Sequence, residues 1–144
     1  MAYILIVEDE ELVRRSMRSW LEQAGHQVEE ATDGEAGLRL LACRAVDLVV
    51  TDILMPKLDG FELIREVRQH HPRTKVVAIS GMPPLGSMTM VEAARRLGAD
   101  DAISKPFGPS ELLKIVLCCL TSDRSRGIAM TQSIEYRHEI EASA

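Results

Sequence analysis

Five polar side chains stand directly after short apolar runs of the sequence: Glu8, Asp9, Asp52, Ser80 and Lys105. Carboxylates are ligands that a hard cation such as Mg²⁺ prefers, and a carboxylate can also attack phosphorus to give an aspartyl phosphate. In that chemistry Asp52 would be the nucleophile, with Glu8 and Asp9 beside it as metal ligands. Lys105 would offset charge on the phosphoryl oxygens, and Ser80 would donate a hydrogen bond to one of them.

These side chains meet only if the apolar runs are neighbouring strands of one parallel sheet. Three of the runs consist almost wholly of β-branched residues and leucine, which is typical of strands buried on both faces. Ligands of an open α/β sheet bind beyond the carboxyl ends of its strands, near the point where strand order reverses. We therefore expect all five side chains in one shallow pocket. The predicted strands are Tyr3–Val7, Gln27–Ala31, Val46–Thr51, Lys75–Ile79 and Asp101–Ser104.

Amphipathic segments with helix-start and helix-stop signals separate the strands. Asp59 followed by Glu62 resembles a capping box, Pro109 suits the first position of a helix, and Gly25 and Gly98 stand where helices should stop. The order βα, repeated five times, predicts an α/β fold with right-handed crossovers. We expect a doubly wound, five-stranded parallel sheet of order 2-1-3-4-5, which is flavodoxin-like. The apolar face predicted for the first helix comprises Leu12, Met17, Trp20 and Leu21.

Length and composition restrict the class of protein. With 144 residues, the chain has the size of one domain, so we expect room for neither a two-domain enzyme nor an attached DNA-binding domain. The net charge of −5 argues against binding through phosphate neutralisation. Aromatic residues make up only 3% of the chain, too few for a base-stacking platform. The sequence therefore predicts no direct nucleic-acid binding.

Targeting signals and the use of cysteine indicate the cellular compartment in which the protein is expected. The apolar start of the chain has no basic region before it and meets four acidic residues at once, unlike a signal peptide. No stretch approaches the roughly 20 apolar residues of a membrane span, so we expect no membrane insertion. Cys43, Cys118 and Cys119 lack the spacing of a metal site or disulfide framework. These features predict a cytoplasmic protein.

Nucleotide-binding motifs of the same fold class are missing. A dinucleotide binder needs G-x-G-x-x-G after the first strand, but the turn here, Glu8–Glu11, is wholly acidic and would repel a pyrophosphate. A P-loop is also missing, and flavin mononucleotide would need hydroxyls and free amides around its phosphate. An acidic cluster at this position favours Mg²⁺ instead, because that cation accepts two or three carboxylates and keeps several waters.

The residues around this pocket resemble the receiver domain of two-component response regulators, in the single-domain form typical of chemotaxis regulators. The resemblance covers residues 3 to about 120, in the family's order and spacing. The run D-x-x-M-P-x-x-D-G, beginning at Asp52, is specific when it is joined to the other blocks. The matching strings are Ile4–Glu10, Asp47–Gly60, Val76–Gly81, Gly98–Asp100 and Lys105–Phe107.

The resemblance implies a phosphorylation switch. Asp52 would accept a phosphoryl group from the phosphohistidine of a histidine kinase or phosphotransfer protein, with Mg²⁺ as cofactor. The chain would not be an enzyme beyond this acceptance and the loss of the group by autodephosphorylation. The fourth helix, fifth strand and fifth helix would form the output surface for a downstream protein effector and for a homodimer. The implied Mg²⁺ ligands are Glu8, Asp9, Asp52 and the backbone carbonyl of Leu54, and the other site residues are Ser80 and Lys105.

Three features of the sequence depart from the family's pattern or adjust the expected behaviour of the switch. Ala102 stands three residues before Lys105, where receivers commonly carry an aromatic switch residue. The segment Met82–Gly86 contains two prolines, which predicts a stiff loop before the fourth helix, and that helix is expected to begin near Thr89. Apolar Leu54, together with Met82, is expected to shield the acyl phosphate from water, which predicts slow self-hydrolysis.

The sequence predicts a receiver domain over residues 1–121 and a mobile or weakly helical tail over 122–144. One alternative is a docking module that works without phosphorylation, which Ala102 favours and the complete site disfavours. Another is a receiver excised from a longer regulator or hybrid kinase. A Mg²⁺-dependent aspartyl-phosphate hydrolase would need D-x-D at the nucleophile, but Asp52 is followed by Ile53 and Leu54.

Overall fold

A computed structural model of the chain describes residues 1–55, 58–81 and 90–122. In these residues five strands alternate with five helices, and every neighbouring pair of strands is parallel. The strand order is 2-1-3-4-5, so the predicted fold class is confirmed. The strands are β1 (Tyr3–Val7), β2 (Gln27–Ala31), β3 (Leu48–Asp52), β4 (Lys75–Ser80) and β5 (Asp101–Ser104). The helices are α1 (Glu11–Gln23), α2 (Gly34–Cys43), α3 (Gly60–His70), α4 (Met90–Leu97) and α5 (Pro109–Thr121).

β3 begins two residues later than predicted and includes Asp52, so the predicted bounds Val46–Thr51 were wrong. Asp47 explains the late start because it closes the end of the ladder. Its carboxylate accepts a hydrogen bond from the N–H of Tyr3 at 2.8 Å, and its own N–H donates to the carbonyl of Tyr3 at 2.9 Å. At the other end, Asp52 is itself paired with β4.

Two hydrophobic layers cover the two faces of the sheet, because alternate residues of each strand point to opposite sides. Leu5 and Val49 face one layer with α2, α3 and α4, whereas Ile4 and Val50 face the other with α1 and α5. These four strand side chains are completely buried. Burial of each contributes roughly 2 kcal/mol, so the sheet holds the strand ends in a fixed frame.

The helix signals in the sequence are met at four positions. Asp59 caps α3 and accepts a hydrogen bond from the N–H of Glu62 at 2.9 Å. Pro109 is the first residue of α5. Gly25 and Gly98 follow α1 and α4 with φ values of 95° and 116°, a conformation that favours glycine. Local signals therefore fix where these helices begin and end.

Leu12 does not belong to the buried face of α1, contrary to the sequence prediction. Its side chain is 78% exposed, whereas Met17 and Leu21 are completely buried. At about 100° per residue, Leu12 lies on the opposite side of the helix from Leu21. This leucine is the second residue of the helix.

The predicted loop at Met82–Gly86, the predicted helix start near Thr89 and the tail beyond Ser122 lie outside the described residues. Within the described part of the chain, α4 begins at Met90. None of the helices described is both long and apolar enough to cross a membrane.

Candidate functional site

Three acidic side chains meet at the carboxyl ends of β1 and β3, which are adjacent strands. One carboxylate oxygen from each of Glu8, Asp9 and Asp52 lies within 4.8 Å of the others. Glu8 and Asp52 are buried and Asp9 is exposed, so the cluster has a buried floor and an open side. Glu8 is held at the strand end by a 3.1 Å hydrogen bond from its N–H to the carbonyl of Ala31 on β2.

Lys105 crosses to these acids from the loop between β5 and α5. Its Nζ lies 2.8 Å from Oδ2 of Asp52 and 3.6 Å from Oε1 of Glu8. The backbone N–H of Lys105 donates to the carbonyl of Ser80 at 2.8 Å, and the Lys105–Pro106 peptide bond is cis. Gly81 leaves room for the lysine stem, since a Cβ there would stand only 3.3 Å from its Cδ. The ammonium group therefore reaches the acids from a fixed backbone.

The backbone directly after β3 turns back toward the carboxylate of Asp52. The N–H of Leu54 donates to Oδ1 of Asp52 at 3.1 Å, so both carboxylate oxygens of Asp52 are engaged. The N–H of Gly60 donates to the carbonyl of Ile53 at 2.8 Å, which closes the loop. Leu54 remains 49% exposed and forms an apolar edge of the site.

Ser80 is the last residue of β4 and is buried. β4 extends one residue beyond the predicted bounds, so Ser80 is paired with Ser104 of β5. The residue before it, Ile79, is paired with Asp52. Ser80 thus lies at the same edge of the sheet as the three acids.

Electrostatics in the site are dominated by Glu8. Its burial, together with the neighbouring carboxylate of Asp52, raises its pKa to about 7 even though Lys105 acts in the opposite direction. Burial alone would lower the pKa of Lys105, but the hydrogen bond and charge of Asp52 and the charge of Glu8 outweigh it and raise that pKa. The three acids together carry more negative charge than one ammonium group offsets.

The donor set fits a hard cation. Oε2 of Glu8 is buried and has no hydrogen-bond partner among the described residues. Unpaired buried carboxylate oxygens are costly, and a cation with oxygen ligands would satisfy this one. Carboxylates are the ligands that Mg²⁺ uses in proteins. The cluster could therefore hold a metal ion.

Sequence reasoning missed Arg14 as a neighbour of the site. Its Nη1 donates to the carbonyl of Glu8 at 3.0 Å, and its Nε lies 3.5 Å from Oε1 of Glu30. Arg14, Arg15 and Arg18 all lie on α1, and the sequence pattern placed them together on its polar face. Nothing in that pattern indicates which arginine turns toward the strand ends.

Comparison with known proteins places most of the chain in one family. Residues 4–117 match the family model of the response regulator receiver domain. The KDP operon transcriptional regulatory protein KdpE of Escherichia coli is 39% identical over 112 residues, covering 78% of this chain and 48% of that protein. The response regulator MprA of Mycolicibacterium vanbaalenii is 37% identical over 110 residues, covering 76% and 46%. The chain thus spans less than half the length of these curated relatives.

Solved structures give the same result. The receiver domain of NtrX from Brucella abortus is 34% identical with a TM-score of 0.77, over 83% of this chain and 99% of that one. The chemotaxis response regulator CheY4 of Vibrio cholerae is 28% identical with a TM-score of 0.75, again over 83% and 99%. The family model covers most of the sequence, and the strand order is that of the predicted fold. This chain therefore belongs to the response regulator receiver domains of two-component systems.

Proposed function

We propose that the chain is a phosphorylation switch in which Asp52 accepts a phosphoryl group from the phosphohistidine of a histidine kinase or phosphotransfer protein. The supporting observation is the position of Asp52 between the ammonium group of Lys105, at 2.8 Å, and a pair of acids within 4.8 Å. This arrangement offers a nucleophile, a counter-charge for phosphoryl oxygens and a place for a cation.

The transfer forms one bond and breaks another. An oxygen of the Asp52 carboxylate forms the new O–P bond, the P–N bond of the donor breaks, and its electron pair returns to the imidazole nitrogen. Lys105 releases Asp52 and pairs with a phosphoryl oxygen, and Ser80 donates a hydrogen bond to another. The group is later lost by hydrolysis of the acyl phosphate, so the chain switches back without a separate catalyst.

Mg²⁺ is the proposed cofactor, held by the carboxylates of Glu8, Asp9 and Asp52 and by the backbone carbonyl of Leu54. When bound, it would supply positive charge to the oxygens of the transferring group. Glu8 has a buried oxygen without a hydrogen-bond partner in the part of the chain that the structure describes, and such a cation would satisfy it. Asp9, on the exposed side, leaves the cluster open to the incoming phosphoryl donor.

The proposed output surface consists of α4, β5 and α5, with a downstream protein effector or a second copy of the chain as its partner. An ion pair joins two of these elements, with Nη2 of Arg95 at 2.7 Å from Oδ1 of Asp101. Ala102 on β5 is buried and has no ring to rotate. Output must therefore use shifts of backbone or of other side chains. We place this signalling in the cytoplasm.

We propose that the receiver unit comprises residues 1–121. The family match ends at residue 117, and α5 continues to Thr121. The N–H of Ser122 donates to the carbonyl of Cys118 at 3.1 Å and completes the last turn of the helix.

Phosphorylation by acetyl phosphate tests the proposal. We expect the wild-type chain to gain one phosphoryl group by mass spectrometry when Mg²⁺ is present and none when it is chelated. Asp52→Asn should gain none. Asp47→Asn is the matched control, because Asp47 lies at the opposite end of β3 and asparagine keeps the oxygen that accepts from Tyr3.

Two outcomes would contradict the proposal. A wild-type chain without any adduct would favour docking that is independent of phosphorylation. Continuous release of phosphate without an adduct would favour the hydrolase.

A further inference from the structure

We infer that Arg14 is a positioning residue that fixes the two acids at the end of β1 for metal binding. This inference rests on the proposed Mg²⁺ site. Arg14 lies on α1, and its side chain is only 13% exposed. It touches neither carboxylate of the pair in the contacts described, but it donates to the backbone carbonyl of Glu8 at 3.0 Å.

That carbonyl belongs to the peptide group that joins Glu8 to Asp9. A peptide group is planar, so holding its oxygen also fixes the direction in which the chain enters Asp9. The opposite side of Glu8 is held by the hydrogen bond from its N–H to Ala31 on β2, at 3.1 Å. Both backbone polar groups of Glu8 are therefore hydrogen-bonded, and the bond from Arg14 is the one nearer to Asp9. Asp9 itself is exposed, so its orientation depends largely on its backbone.

Arg14 is in turn held from β2. Its Nε lies 3.5 Å from Oε1 of Glu30, whose other oxygen accepts from Nη1 of Arg18 at 2.9 Å. Arg18 continues the network to Glu22, with Nε and Oε1 2.6 Å apart. These ion pairs leave the guanidinium group of Arg14 little freedom to turn away from Glu8. The planar fork of arginine suits this double contact, and the single ammonium group of lysine does not.

A charge effect and a positioning effect predict opposite results. Removing a positive charge near a cation site strengthens Mg²⁺ binding by electrostatics alone. Removing a group that orients metal ligands weakens it, and loss of such supporting contacts typically costs about 10- to 100-fold in metal affinity. The sign of the change in affinity for Arg14→Gln therefore separates the two.

The test is calorimetric titration of the full chain with MgCl₂ in the absence of any phosphoryl donor. We expect Arg14→Gln to raise the Kd about tenfold, the low end for an indirect contact. We expect Arg14→Lys, which keeps the charge, to raise the Kd by a smaller factor. Arg15→Gln is the matched control, because Arg15 is 72% exposed and pairs with Glu11 on the same helix. Its Kd should stay the same or fall.

A second measurement separates positioning from general stability. With acetyl phosphate, Arg14→Gln should need more Mg²⁺ for half-maximal phosphorylation but reach a rate close to wild type at saturating Mg²⁺. A lower Tm with an unchanged or lower Kd would overturn the inference. If Arg14→Gln does not fold, the Kd of Arg14→Lys for Mg²⁺ is measured instead, and an unchanged or lower Kd would again overturn the inference. A wild-type chain that binds no Mg²⁺ would overturn the proposed metal site, and this inference with it.

Discussion

Among single residues, Glu8 and Lys105 show how ionisable side chains are accommodated in a buried site. Glu8 is completely buried beside Asp52, and this environment raises its pKa to about 7. Lys105 lies within 3.6 Å of Glu8 and supplies the compensating charge within the described residues. A second cation would complete the compensation, which is the physical reason why the cluster is suited to Mg²⁺.

In the proposed switch, the lifetime of the phosphorylated state depends on the residues beside Asp52, and Leu54 is one of them. An apolar side chain here cannot hold a water molecule for attack on phosphorus. We predict that Leu54→Asn speeds loss of the phosphoryl group about fivefold, because one hydrogen bond to the attacking water is worth about 1 kcal/mol. The rate is measured by mass spectrometry after excess acetyl phosphate has been removed with Mg²⁺ still present.

Leu12→Asn is the control for this prediction. Leu12 is also an exposed leucine, at 78%, but it lies on α1 rather than beside Asp52. Its substitution should leave the decay rate unchanged. If Leu54→Asn decays at or below the wild-type rate, Leu54 does not shield the acyl phosphate. Met82, the other residue expected to act in this way, lies outside the described residues.

Among the elements, the start of α3 most directly constrains the backbone of Asp52, the proposed phosphoacceptor. Gly60 is the first residue of α3 and packs against the backbone of β3. A Cβ at this position would overlap the carbonyl oxygen of Asp52 and the Cα of Ile53. The helix can begin here, with Asp59 as its cap, only because residue 60 has no side chain.

We predict that Gly60→Ala lowers the free energy of unfolding by about 1–3 kcal/mol, the usual cost of forcing extra atoms into a packed site. Urea denaturation measures this change. Gly108→Ala is the control, since a Cβ at Gly108 would meet nothing within 4 Å. Its effect should stay within about 0.5 kcal/mol, because a small loss at the helix cap offsets a gain in chain entropy. Equal stability of the two variants would contradict the prediction.

In the whole molecule, one end of the sheet carries the candidate site and the other carries contacts that stabilise the fold. The carboxyl ends of the strands carry the charged site, whereas the amino end of β4 is bound by Arg68. This arginine donates to the carbonyls of Pro72 and Thr74 and to Oδ2 of Asp100. It thereby joins α3, the start of β4 and the turn before β5. The turn can approach the side chain of Arg68 so closely because Gly98 has no Cβ, which would overlap the Cγ of the arginine.

We predict that Arg68→Met destabilises the fold by about 2–3 kcal/mol, since it removes three hydrogen bonds that join α3 to the start of β4 and to the turn before β5. Arg65→Met, at an exposed position of the same helix, should change stability by no more than about 0.5 kcal/mol. Thermal unfolding measures both. Arg68→Met should still take up the phosphoryl group on Asp52, because the arginine lies at the far end of the sheet. An Arg68→Met variant as stable as the wild type, or one that is folded but not phosphorylated, would contradict this separation of the two ends of the sheet.

Much of the fold was predictable because its signals are local. Buried strands, caps such as Asp59 and stop residues such as Gly98 act on their immediate neighbours, so the element order follows from the sequence. The strand order depends on contacts between distant residues and was expected from the usual topology of this fold class. The bounds of β3 were less accurate, because the contact between Asp47 and Tyr3 that ends the ladder joins residues 44 positions apart. Leu12 was misplaced because the prediction grouped apolar residue types without applying the rotation of about 100° per residue, which sets Leu12 opposite Leu21 on α1.

The amino-acid pattern was enough to place the chemical groups of the site at the strand ends, because the ends of buried strands follow from the hydrophobic pattern. How the groups are arranged relative to one another depends on the packing of the folded chain. It brought Lys105 to 2.8 Å from Asp52, 53 positions away, and left one oxygen of Glu8 buried without a partner among the described residues. It also selected Arg14 from three arginines of α1 to hold the carbonyl of Glu8. Distances between side chains of different elements depend on how those elements pack, and no local pattern encodes them.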